Sequence, residues 1–171
     1  GNVAAHLYVE YEKVGLDVAR LERAFQRVIE RHDMLRAVVL PDGRQQILRE
    51  VPPYRIAVTD LRGRSESEVE AALAALRDEL GHQVIRTDRW PLFDVRATLL
   101  DGDRVHVHVS TDTLILDARS KQTLYREWGA LYEDPDVALP ALELSFRDYV
   151  LAATAVRETA LYARARAYWE S

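Results

Sequence analysis

With 171 residues, 48% of them hydrophobic, the chain is long enough for one domain with a substantial core and has too little apolar contrast for two independent ones. Its 28 acids against 23 bases give a formal charge of -5, which disfavours a general nucleic-acid binder, because such a surface concentrates positive charge against phosphate. Having no cysteine excludes disulfides, thiolate metal sites and a cysteine nucleophile; with no apolar run of membrane-spanning length and no basic-then-apolar leader, the expectation is a cytoplasmic protein off the membrane.

Ala5 to Lys13 reads as a strand, since Leu7, Val9 and Tyr11 alternate with Tyr8, Glu10 and Glu12, and one of its faces is expected to be wet. Asp17 then caps a helix with the apolar stripe Val18, Leu21, Phe25, Val28 and Ile29, ending near His32. Ala37 to Leu40 and Gln45 to Arg49 form a hairpin across Pro41-Asp42-Gly43-Arg44. Pro52-Pro53 separates it from a short strand, Ile56 to Asp60. Ser65 and Glu68 fit a capping box, followed by a helix with Val69, Ala72, Leu73, Leu76 and Leu80 on one side.

Trp90-Pro91-Leu92-Phe93 breaks the helical pattern and pins a loop into the core. Phe93 to Leu100 and Arg104 to Ser110 make a second hairpin across Asp101-Gly102-Asp103. From Ala118 to Tyr132 the spacing of Leu124, Trp128 and Leu131 is helical, and Asp134-Pro135 stops it. Two more helical stretches begin near Phe146 and Thr159, which completes an α+β order with no internal repeat. The Gly1-Asn2 start and an end inside a helical pattern at Ser171 point to a piece cut from a longer protein.

The segment Asp112-Thr113-Leu114-Ile115-Leu116-Asp117-Ala118-Arg119-Ser120 stands between the strand ending at Ser110 and the helix that follows. Connections held by rigid elements are where sites are usually built. Asp117 can serve as a helix N-cap, which needs only a carboxylate ahead of the first turn. Asp112 is either a loop acid paired with an arginine or a carboxylate that orients or deprotonates an attacking group. His106 and His108 point the same way on their strand and could take a metal with Asp112 beyond them, although alternating histidines more often form a polar face. In Arg31-His32-Asp33-Met34-Leu35-Arg36, Arg31 and His32 suit the negative end of the helix dipole, and Arg36 can turn inward toward a buried acid. The sequence holds no glycine-rich phosphate loop and no Gly-x-Ser-x-Gly elbow.

On these residues the chain resembles the amino-terminal lobe of a heterocyclization domain of a nonribosomal peptide synthetase. In that family the His-His-x-x-x-Asp-Gly signature of condensation domains is replaced by Asp-x-x-x-x-Asp-x-x-Ser, which stands here as Asp112, Asp117 and Ser120. Asp112 takes the place of the first histidine, Thr113 of the second, Asp117 of the aspartate and Ala118 of the glycine. Arg31 to Arg36, Trp90-Pro91-Leu92-Phe93-Asp94 and Leu144-Ser145-Phe146-Arg147-Asp148-Tyr149 are similar to further family elements and come in family order.

The resemblance implies an α+β fold like half of chloramphenicol acetyltransferase, a mixed sheet covered by helices, whose carboxy-terminal lobe completes a tunnel. It implies that a carrier-bound acyl or peptidyl donor is condensed with carrier-bound Cys, Ser or Thr and cyclodehydrated to a thiazoline or oxazoline. The expected partners are upstream and downstream peptidyl carrier proteins and the second lobe. Substrates ride on phosphopantetheine arms, and no bound cofactor or metal is expected. The whole of 1–171 is read as one lobe, lacking the family's opening segment and the carboxy-terminal lobe, and by itself inactive. Asp112, Asp117, Thr113 and Ser120 are the expected site residues, with Asp117 paired to Arg36 as a brace and Arg36 and His32 as structural support. The alternatives are a non-catalytic docking lobe, an ordinary condensation domain, or an acetyltransferase, the last of which needs a histidine where Thr113 stands.

Overall fold

Val105, Val107 and Val109 alternate with His106, His108 and Ser110, so the strand that carries them presents one apolar and one polar side. That strand, β6 (Arg104–Asp112), lies inside a four-stranded sheet of order β1-β6-β5-β4. β1 (His6–Val14) runs antiparallel to it with His6 opposite Asp112, and β5 (Phe93–Leu99) runs antiparallel on its other side with Phe93 opposite Thr111. β4 (Ala57–Asp60) joins the far edge parallel to β5, while β2 (Ala37–Val39) and β3 (Gln45–Ile47) form a separate hairpin. This computed structural model describes residues 5–170, so the chain-end residues Gly1, Asn2 and Ser171 lie outside it. The chain divides into two compact units, Gly1–Val137 and Ala138–Ser171.

The apolar side of the sheet is the core of the first unit. Val95, Ala97, Val105, Val107 and Val109 are buried there, beneath α1 (Val18–Arg31) and α3 (Ala118–Glu133). Phe25 of α1 is the centre of the packing, with its ring 5.3 Å from that of Phe93 and 4.5 Å from that of Trp128. Trp128 donates its indole N–H to the Leu21 carbonyl at 3.0 Å, so the helix pair is tied by a hydrogen bond as well as by area. Full burial of side chains this size stabilises by about 1.5–3 kcal/mol each.

The polar side differs from the wet face the alternation predicts. α2 (Glu66–Gly81) reaches across it: Arg77 forks onto Glu10, the His6 ring meets the Leu80 carbonyl at 3.0 Å, and Leu80 itself is buried. Gln83, beyond the helix, donates to Asp94 of β5 at 3.0 Å. A layer of polar side chains, tied in part by these bonds, therefore fills the space under α2. The expected Ser65 and Glu68 capping box starts this helix.

The β5–β6 turn explains its own residues. Gly102 and Asp103 take φ of 71° and 57°, the left-handed region that glycine and aspartate tolerate best, and Leu100 N–H closes the hairpin on Arg104 O at 2.8 Å. In the second unit, Ser145 and Asp148 form a capping box at α4 (Phe146–Val156), and Thr159 caps α5 (Ala160–Trp169). These helices leave Phe146, Tyr149, Leu151 and Trp169 exposed.

Candidate functional site

Asp112 is the last residue of β6, and the strand's position inside the sheet fixes it. Its backbone N–H donates to Leu92 O at 3.0 Å, and its carboxylate accepts the Leu114 N–H at 2.9 Å, folding the chain into a tight turn as it leaves the sheet. Only 3% of Asp112 is exposed. Thr113 is tied to Ala5 through both its N–H and its hydroxyl, at 3.0 and 2.8 Å, while the Leu114 carbonyl accepts from Gln45 at 3.1 Å.

Asp117 sits at the N-cap of α3, where its carboxylate accepts the Ser120 N–H at 2.7 Å. That bond, then the Ser120 hydroxyl and the Arg119 N–H, hold its carboxyl below the usual aspartate range. Asp117 and Ser120 are both exposed. The motif thus brings Asp117 and Ser120 into one capping turn and leaves Asp112 as its buried acid.

The expected brace between Asp117 and Arg36 is not what the structure shows. Arg36 donates to Asp33 at 2.7 Å, to the Ile29 carbonyl at 2.7 Å, and to the carbonyls of Glu30 and Leu48. Among the described residues no ion pair joins Arg36 to Asp117. The reason is local: the last turn of α1 leaves carbonyls without helical donors, and a guanidinium a few residues on can reach several of them at once.

The buried acid that does receive cations is Glu127 of α3. Its Oε2 accepts from Arg31 Nε and meets His32 Nε2, both at 2.8 Å. Burial alone would raise the Glu127 carboxyl, but the hydrogen bonds and charges of Arg31 and His32 hold it below the ordinary range. His32 therefore lends support through Glu127, a residue the sequence does not single out. Its partners lie 95 and 96 positions away, and only its place on the inner face of α3 beside Leu124 and Trp128 marks it.

His106 and His108 do face the same side, but the carboxylates beside them are those of β1, Glu12 at 3.1 Å from His106 and Glu10 at 3.6 Å from His108, rather than Asp112.

Such a sheet, two helices on one side, one across the other, and a buried acid at the end of an inner strand before a capped helix, define a chloramphenicol acetyltransferase-like half-domain. The chain belongs to the condensation domain family, whose model matches residues 3–171. It is 38% identical over 169 residues to bacitracin synthase 1 of Bacillus licheniformis, covering 99% of this chain and 3% of that protein. It is 40% identical over 151 residues to the phenyloxazoline synthase MbtB of Mycolicibacterium paratuberculosis, covering 87% of this chain and 12% of that protein. The cyclization-docking bidomain of the EpoB nonribosomal peptide synthetase from Sorangium cellulosum superposes with a TM-score of 0.90 at 43% identity, covering 96% of this chain and 33% of that one. The chain thus spans a small part of its curated relatives and a third of that bidomain.

Proposed function

We propose that this chain is the amino-terminal lobe of a nonribosomal peptide synthetase heterocyclization domain. In the complete domain, a donor acyl or peptidyl group on an upstream carrier protein is transferred to the amine of Cys, Ser or Thr on a downstream carrier. The acceptor side chain then adds to the new amide carbonyl and water leaves, giving a thiazoline or oxazoline. The observation that carries this reading is Asp112: a buried carboxylate at the end of β6, where the condensation-domain signature has its first histidine. The likeness to a cyclization bidomain at 43% identity supports it.

Within this reading Asp112 orders the floor of the tunnel and Asp117 fixes the start of α3. Thr113 and Ser120 are exposed at the same junction, in reach of what passes over it. The donor and acceptor arrive on phosphopantetheine arms, so the lobe needs no bound cofactor for the reaction, and the cysteine-free composition suits work in the cytoplasm. Catalysis requires both reactants held within attacking distance, and half a tunnel does not do that, so the isolated lobe is inactive.

The test is to give the complete domain an acyl-loaded donor carrier and a Cys-loaded acceptor carrier and to weigh the product. Loss of one water beyond condensation is expected. Condensed product that keeps that water would overturn cyclization, and no condensation would overturn the family chemistry altogether.

A further inference from the structure

The β2–β3 hairpin stands outside the main sheet, yet it reaches the motif turn through one side chain. Gln45, at the start of β3 and opposite Val39, donates from its amide nitrogen to the Leu114 carbonyl at 3.1 Å, across 69 positions of sequence. The hairpin is a firm base for that reach. Ala37 and Val38 are buried, Val39 N–H donates to Thr87 O at 2.7 Å, and Leu48 N–H donates to Arg36 O at 2.9 Å while Arg36 donates back to Leu48 O. A side chain on a strand held at both ends places its donor more precisely than one on a free loop.

Three successive peptide planes leave β6 here, and each is held from a different direction. The plane between residues 112 and 113 is fixed by Thr113 N–H on Ala5 O at 3.0 Å, and the next by Leu114 N–H on the Asp112 carboxylate at 2.9 Å. The third carries Leu114 O, which accepts from Gln45, and Ile115 N–H, which donates to Asp112 O at 3.3 Å. A peptide unit is planar, so holding its carbonyl also aims its N–H. Leu114, the joint between the last two planes, is 47% exposed and gains little from packing, whereas Ile115 is buried. Without Gln45 the third plane is left with the Ile115 side chain and a bond longer than the usual range. Rotation at Leu114 then draws its N–H away from the carboxylate that it orients.

We propose that Gln45 is a positioning residue: through the Leu114 carbonyl it holds the turn in which the Asp112 carboxylate is aimed. Its part in turnover rests on the heterocyclization reading of the complete domain, whereas its hold on the turn stands without it. What position 45 must supply is a donor, because the partner is a carbonyl oxygen, which only accepts. Glutamate has the shape of glutamine but, ionised, also only accepts, so it sets two lone-pair oxygens against each other. Lysine keeps a donor on a flexible stem of comparable reach. Gln45 is exposed, so these exchanges leave the core untouched.

The experiment compares Gln45→Glu, Gln45→Ala and Gln45→Lys with the parent in two ways: amide hydrogen exchange of the 171-residue chain, and turnover of the complete domain with loaded carriers. Exchange at the Leu114 and Ile115 amides should quicken about 2- to 10-fold in the glutamate and alanine variants, the equivalent of one hydrogen bond, and stay at the parent rate with lysine. In the same two variants kcat should fall about 10-fold, with KM for the donor carrier unchanged, and lysine should restore it. Melting temperatures should not move. Gln46→Glu, one residue along and on the other side of the hairpin, should alter neither readout. Parent-like exchange in Gln45→Glu and Gln45→Ala would overturn the hold on the turn, and faster exchange with parent-like kcat would overturn the positioning role. A lysine variant that behaves like alanine would overturn the need for a donor. Should the parent domain condense without losing water, the cyclization reading fails alone, and the same comparison is made on the rate of condensation.

Discussion

Arg31 of α1 and Glu127 of α3 meet at 2.8 Å between helices that share the core of the first unit, with the carboxylate side chain only 8% exposed. His32 shares the same oxygen, so one acid receives two donors from the end of α1. Removing that acid takes away the carboxylate on which Arg31 and His32 both converge. Glu127→Ala should therefore cost about 3 kcal/mol, the low end for a broken buried pair because both donors keep some contact with solvent. Urea unfolding of the parent and variant chains measures it.

The same pair sets an acid limit. A carboxyl held below its ordinary value in the folded state binds fewer protons there than in the unfolded chain, so its contribution is present above the unfolded value and is lost as pH falls through the folded one. Stability should fall on acidification below the ordinary glutamate range, and Glu127→Gln should flatten that part of the profile. A stability curve against pH for the two proteins shows whether it does.

Asp117 acts through backbone amides, which asparagine accepts as well as aspartate does. Asp117→Asn should leave the melting temperature nearly unchanged, whereas Asp117→Ala should lower it. A double-mutant cycle between Asp117 and Arg36 should show no coupling, while one between Asp33 and Arg36 should.

Asp112 binds the Leu114 N–H in a site closed to water. Asp112→Ala should cost about 1–3 kcal/mol by leaving that amide unsatisfied. Asp112→Asn keeps an acceptor and should fold, yet lower product formation in the complete domain. Calorimetric melting alongside mass analysis of the carrier-bound product separates the two effects.

Trp128→Phe should cost about 1 kcal/mol through the lost bond to Leu21 O, and Trp128→Ala about 3–5 kcal/mol through the cavity beside Phe25. Denaturant midpoints would rank them.

The elements that are periodic or punctuated were legible in the sequence: the valine alternation of β6, the α1 stripe, the Ser65 capping box, the helical starts near Phe146 and Thr159, and the Asp-Gly turns. Relations across the chain were not. That β4 lies parallel to β5, that β2 and β3 stand outside the main sheet, and that α2 covers the polar face all depend on tertiary packing. In the motif, composition could name Asp112 and Asp117 but not which was buried, and the expected pairing of Asp117 with Arg36 gives way to Asp33 and the carbonyls at the end of α1, which take the guanidinium. Glu127 and Glu10 escaped for one reason: a charged residue on an amphipathic element looks solvated until its distant partner is known.

The pairing of His6 with Asp112 has a consequence for synthesis on the ribosome. β1 is made before its partner β6, which emerges about a hundred residues later. At ordinary elongation rates that is an interval of about 5–20 s. During it Leu7, Val9 and Tyr11 have no sheet to join, so the β5–β6 hairpin should form first and capture a strand that has been waiting, unprotected, since it left the ribosome.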